Sequence, residues 1–134
     1  MKYCYAIGCM VTDVGDFVGQ TIQSVEGLVK GSEKITFITD AGAKYAMFHE
    51  RDCCEAVWLE DIDGDASDLI GAKVLSFEES SKENPDASES GTWTFYTIIT
   101  DKGRVWLRWN GESNGFYSES VSFYKVFSMR DFYD

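Results

Sequence analysis

The stretch Asp16-Phe17-Val18-Gly19-Gln20-Thr21-Ile22-Gln23-Ser24-Val25-Glu26 returns as Asp68-Leu69-Ile70-Gly71-Ala72-Lys73-Val74-Leu75-Ser76-Phe77-Glu78. The Asp, Gly, Ser and Glu are kept, and every apolar residue of the first stretch meets an apolar residue in the second. Thr36-Phe37-Ile38-Thr39-Asp40-Ala41-Gly42 recurs as Thr97-Ile98-Ile99-Thr100-Asp101-Lys102-Gly103, and Glu55-Ala56-Val57 as Glu119-Ser120-Val121. The order is unbroken while the separation widens, the pattern of one structural unit present in two diverged copies with small insertions. Copy one runs over about residues 16–62 and copy two over about 68–126. Whatever the first copy folds into, the second is expected to repeat.

That unit reads as β structure. Thr39-Asp40-Ala41-Gly42 and Thr100-Asp101-Lys102-Gly103 place Asp at a turn start and Gly where a left-handed residue is commonly needed, between runs of β-formers. In the outgoing strand Val105, Leu107 and Trp109 share one face while Arg104, Trp106 and Arg108 share the other, as in a strand with one buried side. Each copy is expected to hold a turn, a strand (20–26 or 72–78), a hairpin (34–49 or 93–110) and a further strand (55–60 or 116–126). The expected fold is mainly β with α+β as the variant, a pseudo-symmetric antiparallel domain of about eight strands. Ala66 to Ile70 is expected to form a short helical turn capped by Asp65, and Arg130 to Tyr133 another. Ser80 to Ser90, polar and holding the only proline, reads as an exposed, mobile loop.

At 134 residues, 44% hydrophobic and 15% aromatic, the chain has the means for one domain, 1–134, with a core that needs no metal or disulfide. A net charge of −11 disfavours direct contact with nucleic-acid backbone or anionic lipid and favours a basic protein partner. The acids concentrate as Glu55, Glu60, Asp61, Asp63, Asp65, Asp68, Glu78, Glu79, Glu83, Asp86 and Glu89, against Lys73 and Lys82 alone. Such a face either solubilises the chain or complements a basic surface. Ala6-Ile7-Gly8-Cys9 loosely resembles the site before a lipidated cysteine, but too few apolar residues precede it, and it reads as an N-terminal strand. No run approaches the roughly 20 apolar residues of a membrane helix. A soluble, cytoplasmic protein with reduced cysteines is expected.

His49-Glu50-Arg51-Asp52-Cys53-Cys54-Glu55 holds the only histidine and two of the four cysteines. Zinc held by His49, Cys53, Cys4 and Cys9 is one reading, although the spacing fits no standard finger. A nucleophilic Cys53 or Cys54 activated by His49 is another. A third has one cysteine packing inward as a small hydrophobe while the polar residues satisfy a turn. The copies discriminate among these, since the second has Asn110 to Glu119 here and lacks His and Cys. Only the glutamate is shared. Glu55 and Glu119 are therefore either a pair of functional carboxylates on equivalent loops, the second beside Asn114 and Tyr117, or ordinary solvent-facing strand residues. Asp61-Ile62-Asp63-Gly64-Asp65 invites a calcium reading, but an EF-hand needs Gly at position 6 and Glu at position 12, where this chain has Ala66 and Ala72. No cofactor is expected. The tryptophans 58, 93, 106 and 109 read as strand residues, with Arg104-Trp106-Arg108 either an exposed binding stripe or cross-strand packing.

The stretch from His49 through Asp52-Cys53-Cys54-Glu55, Glu60-Asp61-Ile62 and Asp68-Leu69-Ile70-Gly71, with the later Glu112-Ser113-Asn114-Gly115-Phe116-Tyr117-Ser118-Glu119, resembles a family of small uncharacterised phage and prophage proteins. The resemblance covers about residues 16–123 and implies a setting, bacterial host cytoplasm, rather than an activity. The leading expectation is a non-enzymatic acidic binder that inhibits or redirects a basic or nucleic-acid-binding host protein. The alternatives are a small thiol- or metal-dependent protein centred on His49, Cys53 and Cys54, and a structural or assembly protein whose aromatic strands form a homo-oligomer.

Overall fold

The computed structural model describes residues 2–5, 8–11 and 15–127. It is mainly β and antiparallel, with no α-helix among the described residues. Among the described residues ten strands form two sheets. They are β1 (Lys2–Tyr5), β2 (Gly8–Val11), β3 (Ile22–Glu26), β4 (Lys34–Thr39), β5 (Lys44–Phe48), β6 (Ala56–Asp63), β7 (Val74–Glu83), β8 (Ser90–Thr100), β9 (Arg104–Ser113) and β10 (Ser122–Phe127). The order is β1-β2-β10-β5-β4-β3 in one sheet and β6-β9-β8-β7 in the other.

The eight expected strands are β3 to β10, and the expected N-terminal strand is a hairpin, β1 with β2. Three boundaries differ from expectation. β7 runs on through Ser80 to Glu83 because those residues pair with β8, Lys82 opposite Trp93 for example, so the expected loop shrinks to a turn over 84–89. Within that turn Asn84 is buried, its amide donating to Asn110 Oδ1 at 2.9 Å. Residues 116–121 form no strand, and β10 begins at Ser122. The expected turn after Asp65 is a 3-10 helix, Ala66–Asp68. Asp65 Oδ1 accepts from Ser67 N–H at 2.7 Å, and Asp68 Oδ2 accepts from Asp65 N–H. The turn expected at 130–133 lies outside the described residues.

Within each half the three strands after the Asp-apolar-apolar-Gly turn form a meander, β3-β4-β5 and β7-β8-β9. The fourth strand does not join its own meander. β6, which follows the first, pairs with β9, and β10, which follows the second, pairs with β5. Where the meanders begin, residues matched between the two similar sequence stretches meet one another. Thr21 bridges Lys73, Gly19 N–H donates to Val74 C=O while Gly71 N–H donates to Ile22 C=O, and Ile22 N–H donates to Ala72 C=O while Val74 N–H donates to Gln20 C=O. Gly19 and Gly71 both hold positive φ, +99° and +77°, which explains glycine at both places. At the hairpins the expectation divides. Gly42 is left-handed as expected, but Gly103 is not, and its lack of a side chain makes room for the Asp68 carboxylate.

The sheets share one core. Phe17, from the first turn, packs its ring against Phe37 and Tyr45 of one sheet and Phe77 of the other, with centroids 4.9–5.5 Å apart. Trp109 and Met47, from opposite sheets, are both fully buried, and the indole N–H lies 3.3 Å from the thioether sulfur. This core fixes the ends of β5 and β9 relative to each other, from which the chain runs on into the segments that carry the shared glutamates.

Candidate functional site

Side chains alternate along β5, so His49, just beyond Phe48, continues the inward row of Tyr45 and Met47. The next five residues are charged or cysteine and lie exposed, and the chain turns before β6. Glu55, the last residue of that turn, is brought inside and is 1% exposed. Its carboxylate accepts from His49 Nε2 at 2.7 Å and from the backbone N–H groups of Asp52 and Cys53 at 2.9 and 2.8 Å. Burial pushes the Glu55 carboxyl up, but these donors outweigh it and bring it down to about 2. The group is therefore a carboxylate. On its other side the ring places Nδ1 2.6 Å from Ser120 C=O, which can only accept. The ring thus stands between two acceptors, one at each nitrogen. It clasps the turn before β6 to the segment before β10.

Glu119 repeats the arrangement with different donors. It lies six residues after Ser113, as Glu55 lies six after His49, and is 8% exposed. Ser113 Oγ donates to one carboxylate oxygen and Thr92 Oγ1 to the other at 2.7 Å. Burial raises this carboxyl, and the hydroxyls lower it by more. Gly111 on β9 permits the approach, since a Cβ there would stand 2.5 Å from Glu119 C=O. Asn114 Oδ1 accepts from Phe116 N–H at 3.0 Å and shapes the turn, in which Tyr117 is partly buried while Phe116 is 88% exposed. Both shared glutamates are thus buried acceptors that organise loops. They are neither solvent-facing strand residues nor open binding carboxylates.

The structure also corrects the reading of the cysteines. Neither Cys53 nor Cys54 packs inward; both are exposed and are bonded to each other as a disulfide. The His49 nitrogens are directed at Ser120 and Glu55, not at a sulfur, so the ring has no free nitrogen with which to activate a thiol or bind zinc. The other two zinc candidates, Cys4 and Cys9, are backbone partners in the register of β1 and β2. Among the described residues no three His, Cys, Asp or Glu side chains gather to hold a metal ion. A shallow cleft of about 150 Å³ lies over the clasp, lined by Glu33, His49, Arg51, Glu55 and Val57.

The acidic run divides in two. Glu60 accepts from Arg108 at 2.9 Å, Asp61 pairs with Lys30 at 3.4 Å, Asp63 with Arg104 at 3.5 Å, and Asp65 caps its turn. Asp61, Asp63 and Asp65 therefore have separate partners and do not converge as calcium ligands. The Ile62 N–H, together with Lys30, holds the Asp61 carboxyl below its ordinary range. Glu78, Glu79, Glu83, Asp86 and Glu89 are all exposed and form no ion pair among the described residues. On the outer face of the same sheet Trp106 stacks on Phe95 with centroids 5.7 Å apart, and the cations of Arg108 and Lys82 lie 5.3 and 5.4 Å from the Trp93 ring. The Arg-Trp-Arg stripe is thus engaged in cross-strand packing. Ser113, Thr92 and Ser120, which sequence reading passed over, complete the two glutamate clusters. The signal for Ser113 was its spacing from Glu119, equal to that of His49 from Glu55.

Among the described residues no helix is long and apolar enough to cross a membrane. Residues 15–123 match a family model described as a domain of unknown function, DUF7448. No curated protein and no solved structure matches the chain.

Proposed function

Since the chain belongs to the DUF7448 family, a domain of unknown function, we propose from its geometry that it is a non-enzymatic binding protein whose acidic β7 edge engages a basic protein surface. One observation carries this reading. β7 is the last strand of its sheet, open along its outer side beyond Val74, and it and the following turn present Glu78, Glu79, Glu83, Asp86 and Glu89 without internal counter-charges among the described residues. An open edge offers backbone donors and acceptors to an extended segment, and the carboxylates select a basic one. The net charge of −11 supports a protein partner over nucleic acid or anionic lipid. The proposal includes a phage-encoded origin and action in the host cytoplasm on a nucleic-acid-binding or defence protein, for which the motif resemblance is the support.

The alternative in which His49 activates a cysteine thiol or ligates a metal loses support because both of its nitrogens are occupied. The test is retention of a partner from expressing bacterial cells, followed by titration of the purified pair. Changing Glu78, Glu83 and Glu89 together to Gln is expected to weaken binding about tenfold at low salt and flatten its salt dependence, with the unfolding midpoint unmoved. Changing Asp61, Asp63 and Asp65 to Asn, which removes acids already engaged within the fold, is expected to leave affinity nearly unchanged. Equal affinity of the Glu variant and the parent, or binding indifferent to salt, would refute the proposal.

A further inference from the structure

The exposed turn between β5 and β6 carries chemistry that acidic binding does not use. Cys53 and Cys54 are joined, both are exposed, and they are neighbours in sequence. A disulfide stabilises a fold chiefly by closing a loop in the unfolded chain, and the benefit grows with loop length. Between adjacent residues there is almost no loop to close, so this bond ties no two elements together. The turn is held by other means. Glu55 accepts from the N–H groups of Asp52 and Cys53, His49 anchors Glu55, Ser120 anchors His49, and Arg51 Nε donates to Cys53 C=O at 3.1 Å. Opening the disulfide leaves that scaffold in place, with two thiols side by side at the surface and a guanidinium on the same turn to favour a thiolate.

We propose that Cys53 and Cys54 are a reversible dithiol–disulfide couple whose reduced form is a two-thiol site for a thiophilic ligand, of the class of trivalent arsenicals and soft metal ions. The opening step takes a dithiol reductant. One of its thiolates attacks a cysteine sulfur, the sulfur–sulfur bond breaks, and the other cysteine leaves as a thiolate. The reductant's second thiol then displaces the first cysteine and closes the reductant's own disulfide. Two electrons and two protons pass to the protein. With an aryl arsenoxide the reduced pair forms two As–S bonds and loses its two S–H protons, and the arsenoxide oxygen departs as water. Glu55 is a positioning residue for this site, because it fixes the backbone on which the two sulfurs stand.

The test uses the full chain and phenylarsine oxide. Differential alkylation with mapping by mass spectrometry separates Cys53 and Cys54 from Cys4 and Cys9. The expected result is no labelling at Cys53 or Cys54 before dithiothreitol, labelling of both after it, and a thermal midpoint that moves by no more than about 2 °C on reduction. Reduced protein is expected to take up one arsenical at this pair, and Cys53→Ser with Cys54→Ser to lose that uptake while staying folded. Glu55→Gln is expected to hold the arsenical about tenfold less tightly against a competing dithiol, a change that a purely structural role would not produce at unchanged fold. Labelling at Cys53 or Cys54 without reductant, none after it, or arsenical uptake that survives loss of both cysteines would overturn the proposal.

Discussion

Glu55→Ala is expected to lower the unfolding midpoint by about 10 °C or more, a large effect for one residue in a loop. The substitution leaves His49 Nε2 and the Asp52 and Cys53 N–H groups without the acceptor that Glu55, 1% exposed, supplies to all three. Glu55→Gln is expected to lose far less. Its amide oxygen, in the place of Oε1, still accepts from the Cys53 N–H, and its NH2, in the place of Oε2, donates to an unprotonated Nε2 but leaves the Asp52 N–H without its acceptor. The two variants also separate by pH. Because the folded carboxyl is held down at about 2, below its value in an unfolded chain, its contribution is fully present above the ordinary carboxylate range and drains away as pH falls toward 2. The advantage of the parent over Glu55→Gln should therefore be full at about pH 7 and nearly gone at about pH 2. Thermal melts across that range measure it, and a constant gap would mean that no carboxylate is ionised there.

The second large effect is expected at Gly111→Ala. The new methyl would meet Glu119 C=O at 2.5 Å and Glu119 Cβ at 2.9 Å, contacts that real structures do not tolerate. Glu119 cannot simply retreat, since Thr92 and Ser113 hold its carboxylate. Alanine restricts the unfolded chain and fits a strand, which recovers up to about 1 kcal/mol, and the net loss is expected to be about 2 kcal/mol. Denaturant titration measures it directly. Adding Glu119→Ala to Gly111→Ala should cost less than the two single losses together, because the second change removes part of what the first collides with. Full additivity would mean that the methyl is accommodated elsewhere.

How far the fold and the site were legible can be argued from these same residues. The strands of both meanders were readable because alternation such as Val105, Leu107, Trp109 against Arg104, Trp106, Arg108 has a local cause, one buried face. The extension of β7 was hidden because Ser80 to Glu83 have no apolar alternation; they are ordered by pairing with Trp93 and its neighbours, a partner that composition does not announce. Glu55 and Glu119 were found as a pair through the repeat, but not as buried groups. A carboxylate reads as a surface residue until its donors are known, and apart from His49 those donors are backbone N–H groups and hydroxyls, which carry no charge to announce them. The disulfide was missed for another reason. Adjacent cysteines on a strand point apart, and only the irregular turn before β6 brings them together.

The passage of β6 to β9 and of β10 to β5 sets how the molecule comes apart. Each meander borrows its outer neighbour from the far half of the chain. If either half loses order, it withdraws a strand from the other and bares a fresh sheet edge there. Neither half can melt in private, so the two sheets share one fate through connectivity, and the backbone itself, beyond any side chain, makes unfolding a single event.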